Sequence, residues 1–203
     1  VFNYDRPKAC CRLIFVRAHI RPEPVPRGRF YYYRTEAAHP LTILGIDPGI
    51  ATVGYGVISA EGGRYRALEY GAIITKAHTL LEHRLRDIFD DVTQIIRRHR
   101  PDCMAIEELF FNSNRKTAVD VCQGRGVILL AAAKENVDIY EYTPLQIKQS
   151  VVGYGRAEKQ QIMYMTRLIL KLDEAPKPDD TADALACAIC HGNNMMHRAP
   201  AAR

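Results

Sequence analysis

The sequence predicts an α/β layered domain with mixed strand directions, and three observations carry that prediction. Period-two apolar runs fill residues 41–75, and helical spacing of apolar residues takes over after residue 78. Two brief runs, 103–106 and 137–142, sit among the helical stretches as further strands, the first in the form of a buried parallel strand.

Residues 41–47, Leu-Thr-Ile-Leu-Gly-Ile-Asp, form the first strand, closed by Asp47-Pro48-Gly49, and the chain resumes as a second strand over 53–60. Pro48 has no N–H for a ladder and Gly49 tolerates a positive φ, so pairing is expected to lapse after Asp47 and leave its carboxylate at a strand end. A turn-forming Asp bonded to its own backbone explains this stretch, taken alone, equally well. Glu61-Gly62-Gly63 turns the chain into a third strand over 65–75, which completes an antiparallel meander.

Leu81, Leu85, Ile88, Phe89, Val92, Ile95 and Ile96 predict a long amphipathic helix over 78–99, stopped by Arg100-Pro101. Cys103 to Ile106 follows as a buried strand with Glu107-Glu108 at its carboxyl end. Leu109-Phe110-Phe111 and a polar Asn112-Ser113-Asn114 lead into a helix over 116–136. After the strand 137–142, Thr143-Pro144 caps and opens a short helix to about Val151, and Gly153-Tyr154-Gly155 breaks it. Helices over 156–172 and 179–190 complete a body in which the parallel strands end near one another.

Composition is that of an ordinary globular chain of 203 residues. No apolar run reaches the roughly 18 residues of a membrane span and no signal-peptide pattern opens the sequence, so a cytoplasmic protein is expected. Six cysteines (10, 11, 103, 122, 187 and 190) lie mostly in apolar periodic segments, as reduced core thiols do. Eight of the 28 basic residues but three of the 23 acidic ones fall in residues 1–40, leaving twenty of each in 41–203. A nucleic-acid surface on this neutral body requires its basic residues to gather on one face.

Residues 1–40 stand apart, with five prolines, a Tyr31-Tyr32-Tyr33 run, scattered arginines and no amphipathic period. They read as a disordered basic arm, as a poor mimic of a transit peptide, or as sequence upstream of the true start. The last is the favoured expectation, because position 1 is Val and Leu41 opens the first strand without lead-in, as initiation at a non-ATG codon would produce. Residues 193–203 are expected to form a C-terminal tail to a domain over 41–192.

Four carboxylates draw attention. Asp47 and Glu107 end strands that are plausible neighbours in a mixed sheet of this order, while Asp180 and Asp183 are three apart and share one face at the start of the last helix. Capping and dipole complementarity explain Asp179 and bear on Asp180, but Asp183 lies a turn inside and gains less from either. Two carboxylates about 4 Å apart repel by about 4 kcal/mol at an effective dielectric near 20, so four converging acids must bind protons or cations. All-oxygen ligands suit Mg²⁺ or Mn²⁺, and two such ions assist in-line displacement at phosphorus, which is nuclease chemistry.

Ile43-Leu44-Gly45-Ile46-Asp47-Pro48-Gly49 through Gly54-Tyr55-Gly56, Ala105-Ile106-Glu107-Glu108-Leu109-Phe110, Val151-Val152-Gly153-Tyr154-Gly155 with Ala157-Glu158-Lys159, and Asp180-Thr181-Ala182-Asp183-Ala184-Leu185-Ala186 together resemble the RuvC family of bacterial Holliday junction resolvases. The similarity runs in order from about Leu41 to His191, and four ordered motifs make it specific. The resemblance implies an RNase H-like mixed five-stranded sheet, antiparallel over strands 1–3 and parallel over strands 4–5, flanked by helices. It implies that Asp47, Glu107, Asp180 and Asp183 are catalytic acids that bind two Mg²⁺, with Mn²⁺ as a possible substitute. Lys148 and Lys159 match basic positions close to the DNA, Phe110 matches an aromatic that stacks on bases opened at the junction, and Phe111 is assigned a share of that work. A homodimer acting on four-way junction DNA, symmetric hydrolytic nicking with preference for a short thymine-containing sequence, and cooperation with RuvA and RuvB are implied as well. A two-fold protein suits a nearly two-fold junction. Helix 116–136, through Ala118, Val121, Cys122, Ile128 and Leu129, is the candidate for part of the dimer face, with core packing the alternative for any one of them.

Other motifs are set aside. Cys187-Ala188-Ile189-Cys190-His191 matches a c-type haem pattern but continues an Ala-rich helix, so no haem is expected. Gly153-Tyr154-Gly155 lacks the ending of a phosphate loop. The Asp-Pro-Gly turn is shared with actin-like ATPases and sugar kinases, whose two large lobes need more chain than this body has. A junction-binding protein with an idle metal site, or an RNase H-type nuclease acting on other substrates, are the remaining alternatives.

Overall fold

The computed structural model describes residues 39–109 and 115–198; the expectations for residues 1–38 and 199–203, and those for Phe110 and Phe111, lie outside the described residues. Strands β1 (Leu41–Asp47), β2 (Thr52–Glu61) and β3 (Arg64–Ile74) form the antiparallel meander, while β4 (Cys103–Glu107) runs parallel to β1 and β5 (Asp138–Tyr142) parallel to β4. The sheet order is β3-β2-β1-β4-β5. Gly62 and Gly63 both adopt positive φ, 53° and 79°, as a two-residue turn matched to the strand twist requires.

Side chains alternate across this sheet and divide the core in two. Leu44, Ile46, Val53, Val57, Met104 and Ile106 face one way, against Ile88, Val92 and Ile96 of α1 (Leu81–His99) and Ile128 and Ala131 of α2 (Arg115–Lys134). Ile43, Ile58, Cys103 and Ala105 face the other way, against α3 (Pro144–Val152), α4 (Lys159–Leu170) and α5 (Asp179–Arg198). Each wholly buried Ile or Leu contributes about 1.5–3 kcal/mol through area removed from water. The face under α5 also carries Gly45 and Gly56, paired across β1 and β2, and Gly54, paired with Asp47.

Element boundaries depart from expectation in a few places, each with a local cause. Helix α1 begins at Leu81 rather than residue 78, because His78 takes a left-handed φ of 60° that no helix can include. Helix α4 begins at Lys159 rather than 156, after Glu158 and Gln161 form a reciprocal capping box. It stops at Leu170, where Lys171 turns left-handed with φ of 54°. Helix α5 runs on to Arg198, past the expected end at residue 190 and through part of the expected tail. Its far half is anchored at Asn193, which accepts from the Tyr65 hydroxyl at 2.6 Å and donates to the Ser150 hydroxyl at 3.0 Å.

Gly49 does not use a positive φ; instead a Cβ there would lie 1.9 Å from the Thr52 carbonyl oxygen, so the tightness of the turn, not its handedness, calls for glycine. Pairing does lapse at Asp47 as expected. The Thr143-Pro144 start of α3 carries a complete capping box with Gln146. Cys103, Cys187 and Cys190 are buried core thiols, but Cys122 is exposed. His191 is buried as well, sharing a 2.8 Å hydrogen bond with the Tyr142 hydroxyl. Among the described residues no helix is long and apolar enough to cross a membrane.

Candidate active site

Backbone register brings the first two acids together. β1 and β4 are parallel with Ile46 beside Ile106, so the next residue on each strand, Asp47 and Glu107, ends its strand next to the other, about 4.8 Å away across the ladder. Both follow an inward residue of the α5 face by two positions, Gly45 and Ala105, and so point toward α5.

Glycines bring the second pair. A Cβ on Gly54 would stand 2.0 Å from the Asp180 carbonyl oxygen, one on Gly45 2.0 Å from that of Ala184, and one on Gly56 2.5 Å from the Leu185 side chain. Backbone of α5 therefore lies directly on the strands, with wholly buried Ala184 and Ala188 against Gly45. That close approach sets Asp180 and Asp183 over the end of β1. On the opposite face, a Cβ on Gly124 would come within 2.7 Å of the Gly49 carbonyl oxygen, so α2 backs the turn that follows Asp47.

The electrostatic result is a cluster of acids under strain. Burial pushes the Asp47 carboxyl up to about 8, with Glu107, Asp183 and Asp180 adding to the rise in that order and Lys159 opposing it. Glu107 is raised to about 7, by burial first and Asp183 next, against the pull of Lys148 and Lys159. Burial also raises Asp183, although Lys159 draws it down. Neutral forms are thus favoured at the strand ends, the condition that a cation would reverse.

Lysines complete the site. Lys148 of α3 and Lys159 of α4 line a cleft of about 250 Å³ with Glu107 and Asp183, floored by Ile147 and Ile162. The Lys159 ammonium pairs with Asp179 and with Asp183, the latter at 3.3 Å. Burial would lower the Lys159 ammonium, but its bonds to Asp179 and Asp183 outweigh that and hold it above its usual range. A larger concavity of about 510 Å³, lined by Gln146, Gln149, Ser150, Asn193 and Asn194, lies over neutral amides and holds none of the charged groups.

The fold therefore brings Asp47, Glu107, Asp180, Asp183, Lys148 and Lys159 into one electrostatic neighbourhood. Among the described residues no three acidic, His or Cys side chains are already closed around a point that could hold an ion. The donor set nevertheless fits a hard divalent cation: carboxylate oxygens alone, buried enough to be raised by one another, with an ammonium already on Asp183 in the part of a cation. Two contributors escaped the sequence reading. Asp179, read there as a cap, holds Lys159, and Gly45, Gly54 and Gly56 seat the helix. The signal for the glycines was their spacing on one face of adjacent strands.

On α2, Ile128 is wholly buried against the sheet, which removes it from any dimer face. Val121 and Leu129 pack partly on the same core, Ala118 is half-buried, and Cys122 is exposed. Val119 and Leu130, unnoticed in the sequence, are large apolar residues exposed on this helix.

Comparison with known proteins places this geometry. Residues 43–191 match the family model described as crossover junction endodeoxyribonuclease RuvC. The curated relative of that name from Ruminiclostridium cellulolyticum is 56% identical over 154 residues, which cover 76% of this chain and 93% of the relative. The one from Heliobacterium modesticaldum is 57% identical over 155 residues, covering 76% and 96%. Among solved structures, Thermus thermophilus RuvC superposes with a TM-score of 0.73 at 36% identity, covering 77% of this chain and 96% of that one. T. thermophilus RuvC in complex with a Holliday junction substrate gives 0.72 at 34% identity, covering 78% and 97%. The yeast mitochondrial Holliday junction resolvase Ydc2, at 14% identity and a TM-score of 0.56, shares the fold. With the matched segment spanning β1 to the first half of α5 and thus every acid of the cluster, the chain belongs to the RuvC family of crossover junction endodeoxyribonucleases.

Proposed function

We propose that this chain is a structure-specific endodeoxyribonuclease that resolves Holliday junctions by metal-dependent phosphodiester hydrolysis in recombination and repair. The observation that carries the reading is the meeting of two parallel strand ends with the first two turns of α5, which sets half-buried Asp47 and Glu107 against Asp180 and Asp183. Asp47, Glu107, Asp180 and Asp183 would hold two Mg²⁺, or Mn²⁺ in their place. Bound there, such ions supply Lewis-acid activation of water and charge neutralisation at the leaving oxygen of an in-line displacement.

The chain's own residues do the rest. Lys148 and Lys159 line the cleft beside Glu107 and Asp183, where they bind and orient a phosphodiester and offset its charge as it approaches four acids. Ile147 and Ile162 line the same cleft and keep its floor dry, which strengthens each charge interaction inside. Phe110 and Phe111, directly beyond β4, are assigned to stacking on bases opened at the junction centre, worth about 1–3 kcal/mol per base.

The working unit is proposed to be a homodimer. Val119, Cys122, Gly126 and Leu130 recur at helical spacing along exposed α2, and a Cβ on Gly126 would meet nothing, so this stripe offers a close approach to a second copy. Symmetric nicks in two opposed strands follow from such a two-fold pair. Cooperation with RuvA and RuvB in the cytoplasm belongs to the same proposal.

The test is nicking of a synthetic four-way junction with Mg²⁺ by the parent and by Asp47→Asn. The parent should cut symmetrically, and the variant should bind the junction without cutting. Equal cutting by both would overturn the assignment of Asp47. Binding without cutting by the parent would leave a junction-binding protein, and turnover of an RNA–DNA hybrid with none of a junction would replace the substrate.

A further inference from the structure

We infer that Asp179, which stands outside the four acids, is a positioning residue for Lys159; the inference rests on the reading of the site given above. The Lys159 ammonium is shared between two carboxylates, Asp179 and Asp183, one helical turn apart on α5. Their settings differ. The Asp183 side chain is about one quarter exposed and lines the cleft with Glu107, whereas Asp179 is half exposed and not among the residues that line it.

A divalent cation drawn to the cluster takes up the charge of Asp183 and repels the neighbouring ammonium. Asp179 does not change partner in that event. It is the counter-charge that keeps Lys159 at the cleft it shares with Glu107 and Lys148, where the phosphodiester enters. Without Asp179, the ammonium has Asp183 as its remaining carboxylate in the metal-free protein and competes there with the cation. With the cation bound it is free to swing into solvent. The loss of one exposed acid therefore weakens cation binding and misplaces the lysine, both through Lys159.

Asp179→Asn removes the charge while keeping side-chain acceptors for the start of α5, and Asp179→Glu should restore the pairing. Calorimetric titration of the metal-free protein with Mn²⁺, without DNA, should show about 2–5-fold weaker binding by Asp179→Asn. Reductive methylation of Lys159 in the presence of Mn²⁺, followed by mass spectrometry, should run about 3-fold faster in that variant, as expected of an unpaired amine. Single-turnover cutting of a four-way junction at saturating Mg²⁺ should slow by about 3–10-fold. In a Lys159→Met background, Asp179→Asn should have no additional effect on Mn²⁺ affinity or cutting. Parental Mn²⁺ affinity and methylation rate in Asp179→Asn would overturn the inference, as would an undiminished effect in the Lys159→Met background. Absence of junction cutting by the parent would instead overturn the functional reading, and the calorimetric and methylation results would still decide the role of Asp179.

Discussion

Gly54→Ala is a one-methyl change that should disable the site without touching an acid. The added Cβ would fall 2.0 Å from the Asp180 carbonyl oxygen and 2.4 Å from its carbon. Ordinary carbon–oxygen contact begins near about 3.2 Å, so about 1 Å of overlap has to be relieved. The Cβ is fixed to backbone in the centre of a three-strand ladder and the oxygen belongs to backbone in the first turn of α5, so no side chain can rotate away. The relief must come from lifting α5 off β2, and the lifted end is the one that bears Asp180 and Asp183. Overpacking of this kind costs about 1–3 kcal/mol. For a domain of this size that lowers Tm by about 2–12 °C. Displacing reacting groups by about 1 Å costs about 100-fold in rate. The assay pairs thermal unfolding of the variant with single-turnover nicking of a four-way junction under Mg²⁺. A folded variant that cuts at the parental rate would refute the claim that glycine-mediated approach of α5 positions the acids.

Three more outcomes follow from the same geometry. Asp47 is raised in the folded protein to about 8, so the stability tied to its proton is full below its unfolded value and is lost as pH rises through 8. In chelator, Asp47→Asn should therefore be more stable to denaturant than the parent at pH 9, by several kcal/mol, with the gap shrinking toward pH 4; an equal gap at both would contradict it. Lys148→Met should weaken junction binding and reduce the slope of log affinity against log salt by about 1, measured by fluorescence anisotropy, since the residue is placed at a phosphate. Thr143→Ala removes the hydroxyl that accepts from the Gln146 N–H at the start of α3, while the bond from the residue 143 N–H to Gln146 Oε1 stays, and should cost about 1 kcal/mol in urea unfolding.

The strands, the meander turn and the Thr143-Pro144 helix start were legible because each is set by a few adjacent residues. Period-two apolar runs put Ile43 and Leu44 on opposite faces whatever lies above them, and Gly62-Gly63 turns tightly by its own conformational freedom. The acids at residues 47 and 107 could be seen as strand-end carboxylates for the same reason. What was not legible depends on partners far along the chain. Nothing local marks His78 as left-handed or carries α5 past Cys190 to its anchors on Tyr65 and Ser150. Gly45 and Gly54 are read locally as weak strand residues, and their role exists only once residues 180–188 lie on them. Ile128 has the same apolar character as Leu130, and only packing tells which one meets the sheet.

The anchoring of α5 at Asn193 makes that helix a lever. Asn193 is thirteen residues from Asp180, about 20 Å along the axis. A pivot of about 3° at the far end swings the near end through about 1 Å, the scale at which hydrolysis would falter. The pair of hydrogen bonds from Tyr65 and to Ser150 thus acts as a hinge pin for chemistry it never touches, and wear at that pin would be felt first at the opposite tip.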